Sequence, residues 1–161
     1  MRVTLLAVGR LKRGGGEVDL ATRYRDRFNA SGRQLGFGPL VEIELTESRA
    51  GSSDARRDEE AARLLERCDG DARRIVLDEG GRQLTSQQFA DLLGRLRDDG
   101  CGEVAFFIGG ADGHGGALLD QAHERLSLGP MTLPHGLARV IILEQLYRAA
   151  TILSGHPYHR A

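Results

Sequence analysis

Tryptophan, lysine and cysteine are nearly missing from this sequence. The 161 residues include no tryptophan, one lysine (Lys12) and two cysteines, Cys68 and Cys101. Two isolated thiols without a C-x-x-C pair indicate neither a disulfide framework nor a zinc site, so we expect no metal and a reduced, cytoplasmic setting. The basic residues are therefore almost all arginine, whose planar fork suits phosphates, although genome composition accounts for most of them.

Long apolar runs and an excess of charge are missing as well. No segment approaches the length that crosses a membrane, and the apolar run at residues 3–8 is too short for a signal peptide. The formal net charge is -1. No basic field covers the surface, so a nucleic-acid contact would have to come from a local patch. With 40% apolar residues, the chain is most simply one domain over residues 1–161.

Apolar runs alternate with segments of helical periodicity along the whole chain. The apolar runs predict strands at residues 3–9, 40–45, 74–78 and 104–108. Helical spacing predicts helices over 18–28, from Asp54 to about Cys68, from a capping box at Thr85, after residue 116 to about Arg125, and over 135–153. This alternation favours an α/β fold with a mostly parallel sheet and helices on both faces.

The last predicted helix is apolar on too many sides for a surface helix. Four successive apolar residues, 140–143, are followed by Leu146, Tyr147, Ala150 and Leu153. Because such a run covers well over half of a helix, one buried face does not account for it. A homodimer built on this helix is the simplest explanation, and a helix buried deeply within one chain is the alternative.

Three loops follow the carboxyl ends of apolar segments, at residues 77–81, 109–116 and 128–133. In an open parallel sheet such ends meet at the ligand crevice. The first loop offers acidic groups that could bind a ribose hydroxyl or an amino group. The second loop offers bare backbone, and the third offers backbone amides and carbonyls that suit an adenine. Lys12 is remote from all three, so a phosphate-binding lysine is missing. The pattern indicates a neutral or cationic adenosine-type ligand.

Single side chains in the last third of the chain are further candidates. His156 and His159 flank Pro157 and Tyr158 in the tail. We interpret this tail as a surface segment, or as an arm that contacts the substrate through Tyr158, His159 and Arg160. Both interpretations are preferred to a metal site. Arg139 and Arg148 are interpreted as ion pairs with Glu144 or a neighbour, or as phosphate ligands. The remaining histidines are interpreted as a helix start, His135, and as surface residues, His114 and His123.

Several long motifs resemble one known family from end to end. They are LLAVGRLK near the start, RIVLDEGGRQLTSQQFADLL, VAFFIGGADG, LSLGPMTLPHGLARVIILEQLYRA and the HPYHR tail. The chain resembles the ribosomal RNA large-subunit methyltransferase H family, a small member of the SPOUT superfamily. The resemblance implies a single-domain SPOUT fold whose carboxyl part, roughly residues 74–155, is threaded into a trefoil knot, an exception to the usual rule against threaded chains.

The resemblance also implies an activity and its partners. Such proteins pair as homodimers through the C-terminal helix, bind S-adenosylmethionine in the knot and methylate N3 of a pseudouridine in 23S rRNA of the assembled ribosome. The cofactor contacts carried onto this chain are Leu77, Gly109, Leu128, Gly129, Pro130, Met131, Thr132 and Leu133. The tail of one subunit, residues 155–161, is expected to reach the cofactor pocket of the other.

Under this hypothesis the tail supplies the catalytic groups. His159 is the candidate base that removes the N3 proton, because a histidine titrates near neutral pH. Arg160 or Arg148 would stabilise the anionic base, and Tyr158 would orient it or stack on it. The competing hypotheses are a non-catalytic RNA-binding or assembly factor with a vestigial crevice, and a small-molecule nucleotide enzyme, which the missing phosphate lysine disfavours.

Overall fold

Five parallel strands form one sheet in the order β2-β1-β4-β3-β5. The computed structural model describes residues 1–159, with the exception of the His159 side chain. The elements are β1 (Arg2–Val8), α1 (Gly16–Gly32), β2 (Leu40–Leu45), α2 (Ser53–Glu66), β3 (Arg73–Gln83), α3 (Ser86–Asp98), β4 (Glu103–Ile108), α4 (Gly116–Asp120), β5 (Glu124–Ser127) and α5 (His135–Leu153), with short 3-10 turns at Arg33–Leu35 and Pro157–His159. The predicted α/β class is confirmed.

Helices cover both faces of the sheet, as the sequence predicts. Helices α1, α3 and α5 pack on one face, where Phe28, Phe89 and Leu143 meet Phe106 of β4. On the other face α2 and α4 pack against β1, β3 and β4, with Leu64 and Leu118 in the smaller cluster. Strand β4 lies at the centre and is buried along its whole length, as expected for a parallel strand covered twice.

Three local predictions are wrong. The helix expected to run to about Arg125 ends at Asp120, and Glu124–Ser127 forms the edge strand β5 beside β3. The N-cap of α2 is Ser52, whose side chain accepts a hydrogen bond from the amide of Ala55, in place of the expected Asp54. The strand expected to end at Asp78 continues to Gln83 after a bulge at residues 78–81, where the pairing with β5 shifts register. The capping box of Thr85 and Gln88 is confirmed.

Most of the apolar surface of helix α5 is buried within the chain. It packs against both α1 and α3, and Ile142, Leu143 and Leu146 have no exposed surface. Burial within the chain therefore accounts for Ile142 and Leu143 of the four-residue apolar run, whereas Val140 and Ile141 remain partly exposed. Leu137, at the start of α5, remains 44% exposed. No helix within the described residues is long and apolar enough to cross a membrane.

Candidate functional site

The carboxyl ends of β3, β4 and β5 open onto a cavity of about 740 Å³, a size typical of small-molecule sites. All three loops singled out in the sequence contribute to its wall. Of the eight residues expected to contact a cofactor, seven line this cavity: Leu77, Gly109, Leu128, Gly129, Met131, Thr132 and Leu133. Pro130 is exposed and is not part of the lining.

Glycines after β4 allow the chain to fold tightly against its surroundings. A Cβ atom added at Gly109 would lie 2.7 Å from the carbonyl oxygen of Gly113, and one added at Gly110 would lie 2.8 Å from Glu60 Oε2. The amide of Gly113 donates to the carbonyl of Gly110 at 3.1 Å, and Gly113 has a φ of +85°, which favours glycine. This wall of the cavity is therefore bare backbone in a fixed turn.

An ion pair holds this glycine loop onto α2. Arg56 donates from Nε and Nη2 to the two carboxylate oxygens of Asp112, at 2.7 and 3.1 Å, and from Nη1 to the carbonyl of Ala50 at 3.2 Å. These hydrogen bonds from Arg56 hold the pKa of Asp112 below its ordinary value. The carboxylate at the cavity wall is thereby already partnered by an arginine.

His114 is a cavity residue, so its interpretation as a surface histidine is wrong. Its Nε2 lies 2.8 Å from the carbonyl oxygen of Leu77, and its Nδ1 is buried without a hydrogen-bond partner. Burial lowers the pKa of His114, because the charged imidazolium is poorly solvated there. The neutral ring with its proton on Nε2 fits this geometry, since that nitrogen then donates to Leu77. His123 is exposed, as expected.

The lowered pKa of His114 gives a testable dependence of stability on pH. Above the ordinary value of 6.5 both the folded and the unfolded chain hold a neutral histidine. As the pH falls below that value the unfolded chain takes up the proton first, so the folded state loses stability. We expect urea unfolding from about pH 7.5 to about pH 5.5 to show a steeper loss for the wild type than for His114→Gln. Equal pH dependences would contradict this assignment.

The bulge of β3 brings two carboxylates to the cavity. Asp78 and Glu79 both line it, and Asp78 Oδ1 accepts a hydrogen bond from the amide of Gly80 at 2.9 Å. A Cβ atom at Gly81 would lie 2.7 Å from the backbone of Arg125. The close approach of β5 at that glycine ends the bulge and keeps the carboxylates beside the cavity, where they suit a cationic group.

The loop between β5 and α5 forms the opposite wall. Ser127 Oγ accepts from the amide of Gly129 at 3.2 Å and donates to the carbonyl of Gly129 at 3.0 Å, and Gly129 has a φ of +132°. Met131 is 78% exposed although it lines the cavity. His135 starts α5, as predicted, and also lines the cavity.

Of the candidate catalytic residues, the structure describes Tyr158 and Arg148, which lie away from the cavity of their own chain. Tyr158 stacks on Tyr147 with ring centroids 4.6 Å apart, and its hydroxyl donates to Glu144 Oε1 at 3.2 Å. Arg148 pairs with Glu144 and lies 5.2 Å from the centre of the Tyr158 ring. The side chain of His159, and all of Arg160, lie outside the described residues.

Tyr158 and Arg148 do not line the cavity of their own chain. Arg148 lies thirteen residues along α5 from His135, about 20 Å at the rise of an α-helix. The sequence placed the tail and the loops in one site, and within a single chain the structure separates Tyr158 and Arg148 from the loops. Among the described residues no group of three or more histidine, cysteine or acidic side chains is arranged to hold a metal ion.

Arg139 pairs with a residue far from it in the sequence. It is 1% exposed, forms an ion pair with Glu44 of β2, and donates from Nη2 to the carbonyl of Gly9 at 2.8 Å. Arg139 therefore ties the start of α5, beside the cavity, to the ends of β1 and β2. The ion pair predicted for Arg148 with Glu144 is confirmed, whereas Arg139 pairs with neither Glu144 nor a neighbour of it in sequence.

Comparisons with known proteins agree along the whole chain. The family described as "Predicted SPOUT methyltransferase" matches residues 1–159. Proteins named "Ribosomal RNA large subunit methyltransferase H" from Brucella anthropi and Rhizobium meliloti are 50% and 51% identical, each over all of this chain and of the relative. A solved structure of a probable methyltransferase from Bordetella pertussis is similar at 17% identity and a TM-score of 0.47, covering 92% of this chain and 95% of that one.

Proposed function

The chain belongs to the SPOUT methyltransferase family, and we propose that it transfers a methyl group from S-adenosylmethionine to N3 of a pseudouridine in 23S rRNA of the assembled ribosome. Family membership makes the chain a methyltransferase with the SPOUT fold. The observation that carries the finer proposal is the cavity at the carboxyl edge of the sheet, which the three loops enclose together. Relatives named for methylation of large-subunit ribosomal RNA support the choice of RNA. The trefoil knot stays a prediction.

The cavity residues fit this methyl donor. The carboxylates of Asp78 and Glu79 offer negative charge to its sulfonium and amino groups. The missing side chain at Gly109 lets the loop close tightly on Gly113, so that bare backbone faces the donor. The 128–133 loop offers backbone donors and acceptors to an adenine. When bound, S-adenosylmethionine supplies a methyl group that is already activated, so the main task of the protein is alignment with the nucleophile.

We assign the tail to the cavity of a partner subunit. Tyr158 packs on Tyr147 of its own α5 and does not line the cavity of its own chain, which supports a second copy as the source of the tail at each cavity. A homodimer through α5 is supported by Leu137, which is 44% exposed, and by Ile141 one turn later, which is half-buried. Ile141 and Gln145 also line a groove of about 260 Å³ beside this face.

The tail residues divide the chemistry between them. Burial, together with the neighbouring Tyr24 and Glu144, raises the pKa of Tyr158 to about 12. Its phenol stays protonated near neutral pH, and its proposed role is to orient the nucleotide or to stack on it. His159 is the proposed base that takes the proton from N3 of the pseudouridine. Arg160 or Arg148 would then stabilise the resulting anion in line with the methyl carbon of the donor. Transfer to N3 would break the bond between that carbon and the sulfonium sulfur, with S-adenosylhomocysteine as the leaving group.

Mass spectrometry of 23S rRNA tests the proposed function. Cells that lack this protein are expected to lose one methyl group from one pseudouridine, and the purified protein with S-adenosylmethionine is expected to restore it on isolated ribosomes. Calorimetry with S-adenosylmethionine is the companion measurement, because a pure binding factor would take up no donor. An unchanged rRNA mass in such cells would overturn the proposal.

The ion pair between α2 and the glycine loop predicts a moderate effect on the affinity for the methyl donor. Arg56→Ala removes the clamp on Asp112, so the loop samples more conformations and donor affinity is expected to fall about two- to fivefold, the scale of one partly exposed pair. Arg57→Ala is the matched control, because that arginine pairs with Asp54 on its own helix. Calorimetry with S-adenosylmethionine measures both, and equal affinities in the two variants would remove the assigned role.

A further inference from the structure

The loop between β1 and α1 carries the densest free positive charge beside the cavity. This segment, residues 9–15, is called the basic loop. It contains Arg10, Lys12 and Arg13, all exposed, and no acidic residue. Three positive charges within four positions stand out in a chain whose formal net charge is -1.

The fold places the basic loop at the mouth of the cavity. Strand β1 lies directly beside β4 in the sheet, so the loops that follow the two strands are neighbours. Gly9, the first residue of the basic loop, packs against His135, which lines the cavity. A Cβ atom at Gly9 would lie 2.9 Å from His135 Nε2, and the φ of +93° at Gly9 also favours glycine.

Buried interactions fix the base of the basic loop. Arg139 donates to the carbonyl of Gly9, and the carboxylate of Glu44 that pairs with Arg139 also accepts from the amide of Leu11 at 3.2 Å. At the far end, the amide of Gly15 donates to the carbonyl of Lys12 at 3.1 Å. The backbone is held at both ends, and the basic side chains extend from it into solvent.

The three basic side chains have no partner among the residues that the structure describes. Over residues 1–158, none of Arg10, Lys12 and Arg13 makes a side-chain hydrogen bond or ion pair. Arginines elsewhere around the cavity are occupied, since Arg56 holds Asp112 and Arg139 holds Glu44. A fixed group of free cations beside a substrate cavity suits an extended anion that follows the surface.

We propose that the basic loop grips the phosphate backbone of the RNA substrate next to the nucleotide that enters the cavity. The inference rests on the function proposed above and adds to it the surface that positions the RNA. Phosphate contacts fix the register of the RNA and carry no base specificity. Three side chains of this kind are expected to reach phosphates on neighbouring nucleotides.

The decisive comparison uses two triple variants with the same change in net charge. The first carries Arg10→Gln, Lys12→Gln and Arg13→Gln. The matched control carries Arg33→Gln, Arg67→Gln and Arg95→Gln, three exposed arginines at the opposite edge of the sheet, where α1, α2 and α3 end. Methyl transfer to large ribosomal subunits from cells that lack the protein is measured over a series of salt concentrations.

The basic-loop variant is expected to lose at least about tenfold in kcat/KM for ribosomal subunits, with the loss in KM. The slope of log kcat/KM against the logarithm of the salt concentration is expected to be shallower by about three units, one for each lost phosphate contact. The control variant is expected to match the wild type, and calorimetry with S-adenosylmethionine is expected to give the same affinity for all three proteins.

The outcomes separate this inference from the proposed function. A wild type that transfers no methyl group would overturn the function itself. A wild type that is active, beside a basic-loop variant with unchanged KM and salt dependence, would overturn only the role of the loop. A loss in KM without a change in the salt dependence would also contradict phosphate binding, and would indicate contact with a ribosomal protein.

Discussion

A chain that ends at Leu153 is expected to bind S-adenosylmethionine while losing methyl transfer by about 10²–10⁴-fold, the range carried by one general acid–base group. The cavity is formed by residues 77–138, so donor binding does not require the tail. The tail supplies the proposed base His159 and the orienting ring of Tyr158. Calorimetry and a methyl-transfer assay on ribosomal subunits measure the two effects separately. Full activity of the shortened chain would contradict the catalytic assignment.

Mixing two inactive chains shows which subunit the tail serves. The shortened chain has an intact cavity and no tail. Gly109→Val has a tail and a disrupted cavity wall, because a Cβ atom there would lie 2.7 Å from the carbonyl oxygen of Gly113 in the same loop. Refolded together in equal amounts, the two are expected to recover about one quarter of wild-type activity, since half the dimers hold one complete site. A tail that served its own chain would give no recovery.

Strands were predictable where the chain is apolar without interruption. Strand β4 is buried at every position, and its sequence has one acidic residue, Glu103, at the very start. Strand β5 gave no comparable pattern, because Glu124 and Arg125 precede only two buried residues, Leu126 and Ser127. Its place in the sheet depends on pairing with both sides of the β3 bulge, which is a long-range interaction that no local spacing reveals.

The cavity was predictable because glycines follow buried strands at the same edge of the sheet. The residues that shape it were harder to find. His114 lies between glycines in a loop, and nothing in its neighbourhood indicates that its ring reaches Leu77, 37 positions away. The pairing of Arg56 with Asp112 spans 56 positions. Such contacts follow from the packing of α2 against the β4 loop and are absent from any short motif.

Arg139 stands out in the sequence as an arginine on an apolar helix, but the sequence does not identify its partner. The sequence predicted a pair with Glu144, five positions away, or with a neighbour, whereas the partner in the structure is Glu44, 95 positions earlier. The choice follows from geometry, because Arg139 points inward from α5 to the carboxyl ends of β1 and β2, while Glu144 lies on the side of α5 that meets Arg148 and Tyr158. Burial thus determined which of two plausible pairs forms.

Arg139→Met is expected to lower the free energy of unfolding by about 3 kcal/mol, as is typical when one partner of a buried pair is removed. The change leaves the carbonyl of Gly9 without its donor. The cost stays at the lower end of the usual range because the Glu44 side chain is 36% exposed and regains water. Urea denaturation measures the loss, and faster hydrogen exchange at the Leu11 amide is expected to accompany it.

Arg148→Met is the matched control, because it removes an arginine from the same helix. The pair of Arg148 with Glu144 is partly exposed, so its loss is expected to cost less than about 1 kcal/mol. Leu11 exchange should then stay at the wild-type rate, since neither Gly9 nor Glu44 contacts Arg148. Similar destabilisation by the two changes, or unchanged Leu11 exchange in Arg139→Met, would show that the basic loop is held by something other than the buried arginine.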